Sequence, residues 1–318
     1  MKLYDEAEKI SILGVEGYRF GFFVLLGMLA AAGVIGFLCW AKRCGKGTAP
    51  LLIFLSCLLG GLFSRLGFCL MNRELGAMMP LASWIQITGG GWSMAGLVIG
   101  VMLAALLCAR ITGQKAGKTL DIVTCALPLF MALERFGEGC IPEFDYSREL
   151  STDLLKHSFL AFSDDYGAYL ATWKLAGIVM LILFPILIWD VIRSREDGDT
   201  ALLFLLLFGS CSAILESLRY DRFLSISFVG LEQILAAVFL GAGVVILALR
   251  AGKAKRQLGV IAVISLLMMV GIVIGLEFAL DRTTFNKIVI YLAFAAVAAI
   301  PVVLALRLRS AEKDGSRQ

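Results

Sequence analysis

LDIVTCALPLFMALERFGEGCIPE, residues 120–143, carries one charge, Asp121, as far as Leu133 and then places Glu134, Arg135, Glu138 and Glu143 within ten residues. Apolar stretches of about 20 residues cross the roughly 30 Å of a bilayer's hydrocarbon as helices. The charges of this stretch therefore fall where a membrane helix leaves its apolar surroundings. Arg135 and Glu138 stand three residues apart, on one helical face.

The same pattern repeats along the chain. Of its 318 residues 59% are hydrophobic and 17% charged, against about half and about a quarter in soluble domains. Nine apolar runs read as spans, at about 18–41, 50–71, 90–109, 120–141, 168–192, 201–218, 226–249, 258–280 and 287–308. The fold class is an all-α polytopic membrane protein, with the lipid bilayer as its solvent. A short amphipathic piece, MPLASWIQI (79–87), reads as interfacial. The N-terminal residues mix acids and bases without a cleavage pattern, so the first span is expected to stay. A net charge of +4, spread along the chain, offers nucleic acid no patch. Eight cysteines form no C-x-x-C pair and read as small apolar residues. No metal site is expected.

Orientation follows from lysine and arginine. Lys42, Arg43, Lys46, Arg110, Lys115, Lys118, Arg193, Arg195, Arg250, Lys253, Lys255, Arg256, Arg307, Arg309, Lys313 and Arg317 all fall on one side of nine spans. Those sixteen of 29 bases put the N-terminus outside and the C-terminus in the cytoplasm. Arg65, Arg135, Glu216, Arg219 and the glycine-rich TGGGWSMAG (88–96) then lie toward the outer ends of four spans. An ionisable group inside a span costs about 2.5–3.5 kcal/mol on insertion scales, so such groups pair or bind something.

Each of these features has two readings. Arg135 with Glu134 and Glu138 is either a structural ion-pair knot or a ligand-facing cluster. Glu138 either locks the guanidinium or serves as a general base. Arg65 either snorkels toward head groups or joins the cluster. The glycines either allow close helix packing or let backbone approach a head group. Residues 143–167, acidic and holding the single histidine, His157, form a solvated connector or an amphipathic cap.

Five segments, in order, resemble the prolipoprotein diacylglyceryl transferases, bacterial inner-membrane enzymes. They are SRLGFCLMN (64–72), GGWSMAGLVIG (90–100), LDIVTCALPLF (120–130), ERFGEGCIPE (134–143) and FGSCSAILESLR (208–219). The resemblance covers about residues 15–250. It implies transfer of a diacylglyceryl group from phosphatidylglycerol to the thiol of a lipobox cysteine in a prolipoprotein signal peptide, releasing glycerol phosphate. It implies no cofactor. Arg135 matches the family position for phosphate recognition, and a guanidinium binds phosphate bidentately. With Glu138 as base, Arg135 and Glu138 form the expected catalytic pair. Arg65, Gly90, Gly91, Ser93, Glu143, Glu216 and Arg219 form the expected lipid-binding set.

The chain departs from the family at four positions. The family histidine falls at Ala95, an arginine at Ser212, a tyrosine at Phe208 and an asparagine at Glu138. The expected organisation is an outer segment (1–17), a seven-helix diacylglyceryl-transferase-like core (18–250), two added spans (251–308) and a cytoplasmic tail (309–318). Related readings keep phospholipid binding but use another acceptor, or bind lipid without catalysis.

Overall fold

A chain crossing hydrocarbon must satisfy its own backbone, and a helix does so within each segment. The computed structural model describes residues 9–12, 15–71, 84–85, 91–141, 149–150, 156–163, 167–194, 196–219, 225–226, 229–251, 255–282 and 287–315. Among them nine helices are long and apolar enough to span a membrane. They are α1 (Arg19–Ala41), α2 (Thr48–Met71), α3 (Met94–Thr112), α4 (Ala116–Glu138), α5 (Thr172–Arg193), α6 (Asp199–Ser217), α7 (Leu231–Arg250), α8 (Arg256–Arg282) and α9 (Lys287–Gly315).

Several helices begin later than the apolar runs suggest, and local pairing explains it. β3 (Ala161–Ser163) pairs antiparallel with β4 (Ala168–Leu170), which holds back the start of α5. β5 (Ser225–Ile226) pairs with β6 (Val229–Gly230) ahead of α7, and β1 (Lys9–Ile12) with β2 (Val15–Tyr18) ahead of α1. α3 starts at Met94 because Ser93 caps it, its Oγ accepting the Gly96 N–H at 3.0 Å. It ends at Gly113, whose φ of 66° is the left-handed geometry that closes helices. The interfacial piece at 79–87 lies outside the described residues apart from 84–85.

The chain forms two compact units, Met1–Ala201 with Leu218–Phe223, and Leu202–Ser217 with Leu224–Gln318. In the first, α2 packs along α3, α1 along α4, and α4 along α5. Gly96 and Gly100 present a G-x-x-x-G face of α3 to α2: a Cβ at Gly96 would collide with the Phe63 carbonyl, and one at Gly100 with the Leu59 carbonyl. Small residues at this spacing let membrane helices touch backbone to backbone. At the other end of α4, Asp121 is fully buried, its carboxylate accepting the N–H groups of Gly198 at 2.8 Å and Ala201 at 2.9 Å. It satisfies backbone donors at the start of α6 that a helix N-terminus leaves open.

In the second unit α8 packs against α7 and α9. Gly209 of α6 lies against α7, where a Cβ would sit 2.6 Å from the Ala236 carbonyl. Gln233 on α7 donates to the buried Glu277 carboxylate on α8 at 2.8 Å. Tyr291 donates to the Ser217 carbonyl at 3.1 Å.

Candidate functional site

The C-terminal turns of α4 concentrate charge inside the first unit. The Nη1 of Arg135 donates to Glu138 Oε1 at 2.5 Å, and its Nε lies 3.8 Å from Glu134 Oε2. All three side chains are buried. The other carboxylate oxygen of Glu138 receives Arg219 Nη1 at 3.5 Å, so Glu138 bridges two guanidiniums 84 residues apart in sequence. The shorter contact is as tight as charge-assisted bonds become; the longer one exceeds their usual range. Neighbouring helix starts brace the cluster. A Cβ at Gly137 would meet Phe23 of α1 at 2.8 Å, and one at Gly139 would meet the Trp173 ring of α5 at 2.6 Å.

Beside the cluster, α1, α2, α3 and α4 enclose an apolar groove of about 260 Å³. Met28 and Ala32 of α1, Cys57 of α2, Leu97 of α3 and Ala126 of α4 line it, with Trp92 and Glu134 among its polar-edged members. Along α1 it runs from Phe20 to Ile35, about 22 Å at the helical rise. That exceeds the thickness of one leaflet's hydrocarbon, about 15 Å. An acyl chain would fit such a slot by length and by chemistry, and the charged residue among its described lining is Glu134.

Arg65 is 1% exposed and does not snorkel. Its Nη1 donates to the Gly91 carbonyl at 3.3 Å, and its guanidinium carbon stands 5.6 Å from the Phe68 ring centroid. Gly91 has a φ of 78°, and a Cβ there would collide with the Phe68 ring, so glycine is required. Ser93 is buried between α2 and α3: Ser64 Oγ donates to its carbonyl at 2.8 Å and its own Oγ caps α3.

Thus Arg135, Glu138 and Arg219 meet, while Arg65, Gly91 and Ser93 meet at the α2–α3 junction. Glu216 is half-buried and belongs to the second unit. Gly90 and Glu143 lie outside the described residues. Glu134 is the addition. The sequence put it in the charge cluster with Arg135, but groove-lining and lipid-facing apolar residues look alike in sequence, so its place at the groove was hidden. His157 sits in an exposed turn. Ala95 is buried on α3, and Phe208 stacks on Phe204 at 5.0 Å within the second unit.

Helices of this length and a cluster of buried charges at their ends define a multi-pass membrane protein with a polar site beside an apolar groove. The family model for prolipoprotein diacylglyceryl transferase matches residues 8–249, and the chain belongs to that family. Nine apolar helices and this membership make it a multi-pass protein of the bacterial inner membrane. It is similar to the phosphatidylglycerol–prolipoprotein diacylglyceryl transferase of Pasteurella multocida, 29% identical over 64% of this chain and 76% of that protein. The protein of that name from Bordetella avium is 28% identical over 65% of this chain and 78% of its own length. For the one from Acinetobacter baylyi the figures are 26%, 66% and 78%.

Proposed function

We propose that the chain uses phosphatidylglycerol as a diacylglyceryl donor, with the prolipoprotein cysteine as acceptor. The observation that carries this is Arg135, held between two carboxylates where Glu134 enters the lining of a 260 Å³ apolar groove. An acyl chain lies in the groove, and the donor phosphate meets Arg135 and Arg219. A guanidinium carries five N–H donors, so Glu138 and a phosphate can share the pair. In the reaction the acceptor sulfur forms a bond to the glyceryl carbon. The carbon–oxygen bond to the phosphate breaks, and glycerol phosphate leaves with the electron pair. The thiol proton goes to a carboxylate. Glu138, the base expected from the sequence, has both oxygens engaged by guanidiniums and orients them, so the base we propose instead is Glu134, the carboxylate lining the groove. Arg65, Gly91 and Ser93 hold the mouth formed by the start of α3; Gly90, Glu143 and Glu216 are assigned to lipid binding by the family resemblance alone.

We place the N-terminus outside and the C-terminus in the cytoplasm, as the sixteen aligned bases imply. Residues 18–250 are the catalytic core, 251–308 an addition and 309–318 a cytoplasmic tail; the family match ending at 249 supports that division.

Ala95 and Ser212, where the family has histidine and arginine, favour a second reading. In it the lipid site is retained and the acceptor differs, or catalysis is lost. Expression in a strain depleted of its own transferase decides: lipidation of a model prolipoprotein supports the first reading. An inserted protein that lipidates nothing removes it. Turnover of labelled phosphatidylglycerol without lipidation supports the other acceptor, and no turnover supports binding alone.

A further inference from the structure

The opposite end of the first unit holds a second, chemically different hollow. The end of α1, the α3–α4 turn and the end of α5 surround about 600 Å³. Three lysines line it: Lys42, Lys115 and Lys118. Their counter-charges are few. Lys115 Nζ stands 3.4 Å from Asp197 but is 82% exposed, so that pair is weak. Lys42 Nζ stands 3.8 Å from Asp121, whose oxygens already accept two backbone N–H groups. Lys118 Nζ donates to Gln114 at 3.4 Å.

Asp197, Gln114 and Ser194 complete its polar lining, and Leu38, Val191 and Ile192 form an apolar wall. Ile192 is 68% exposed, so this wall continues onto the outer face of α5. Trp40 and Trp189 are exposed nearby on α1 and α5, and Arg193 stacks over Trp189 at 3.7 Å. Tryptophans beside basic residues mark the depth of lipid head groups. Lysines that served only to orient the spans could be scattered over the connections. Here three converge on one cavity at head-group depth, and basic pockets between membrane helices bind anionic lipid head groups.

We propose that this hollow seats the phosphodiester of an anionic phospholipid from the leaflet opposite the Arg135 site, as a bound lipid and not as a donor. Its acyl chains run down the exposed faces of α1 and α5. The ligand chemistry is a phosphate monoanion, which a soluble phosphate would share.

The test is native mass spectrometry of the full chain from mixed micelles containing phosphatidylglycerol or phosphatidylcholine. Wild type is expected to hold a phosphatidylglycerol that K115Q/K118Q binds about thirtyfold more weakly, roughly fivefold per lysine at a membrane surface. K115R/K118R, which keeps both charges, retains it, and Arg135→Ala leaves this lipid in place while losing the one at its own site. The losses are therefore separable, and so are the two readings. Unchanged phosphatidylglycerol binding in K115Q/K118Q overturns the proposal. So does equal filling by phosphatidylcholine, or displacement by millimolar inorganic phosphate, which would make the hollow a soluble-anion site. Helicity of each variant by circular dichroism separates lost binding from lost fold; a K115Q/K118Q chain that unfolds transfers the decision to K115R/K118R, whose loss of the lipid then overturns it.

Discussion

Arg135 and Glu138 lie one helical turn apart on α4 with 2.5 Å between Nη1 and Oε1, and the same carboxylate reaches Arg219 at 3.5 Å. One acid thus holds two bases, Arg135 buried and Arg219 half-buried, and its removal leaves both without it. Glu138→Ala is expected to destabilise the chain by about 3–5 kcal/mol, the cost of breaking a buried pair from one side. Glu138→Gln, which keeps an acceptor oxygen, loses less. Thermal unfolding in detergent, followed by circular dichroism, reads both.

On the proposed function the groove holds only hydrocarbon, which suits its apolar lining. Ala32→Trp adds a large ring to a space of about 260 Å³ and is expected to exclude the acyl chain while the helices stay folded. Phosphatidylglycerol binding falls and the unfolding temperature stays near wild type. Binding at the wild-type level would remove the groove from the account.

The α2–α3 seam tests the packing. Gly96→Ala drives a methyl group into the Phe63 carbonyl, and overpacking of this kind costs about 1–3 kcal/mol. Gly33→Ala, on an exposed face of α1 with nothing within 4 Å of the added Cβ, is the control. It is expected within about 0.5 kcal/mol of wild type. Equal effects of the two would argue against the close crossing.

Asp121 ties α4 to the start of α6 through two backbone N–H groups. Hydrogen bonds to a charged group contribute about 1.5–3 kcal/mol each. Asp121→Ala is expected to cost about 3 kcal/mol, and Asp121→Asn less, since its one carbonyl oxygen keeps one of the bonds. Hydrogen exchange at Gly198 and Ala201 should rise in the alanine variant and stay slower in the asparagine variant.

The spans were legible because each is a long apolar run, and the bilayer forces such a run into a helix. Their ends were less so. The start of α3 shifts from 90 to 94 through the Ser93 cap, and the start of α5 moves past the β3–β4 pair. Strands of two to four residues are too short to show an alternating pattern. Within the site, the Arg135–Glu138 contact follows from helical spacing. The Glu138–Arg219 contact spans 81 residues; the topology put both ends at one depth, and the family resemblance put them in one site. Arg65 had two readings, and burial decided against snorkelling: its partner is a backbone carbonyl, and carbonyls leave no mark in a sequence. The groove and the lysine hollow are products of tertiary packing, which apolar residues do not announce.

The claim on which this account turns is that the guanidinium of Arg135 grips the phosphate of a lipid lying in the groove. Equilibrium binding of phosphatidylglycerol to the purified chain tests it, comparing wild type with Arg135→Gln, each checked for helicity. A loss of about tenfold or more is predicted, at the low end of a charge-assisted hydrogen bond's contribution. Wild-type affinity in folded Arg135→Gln would contradict it.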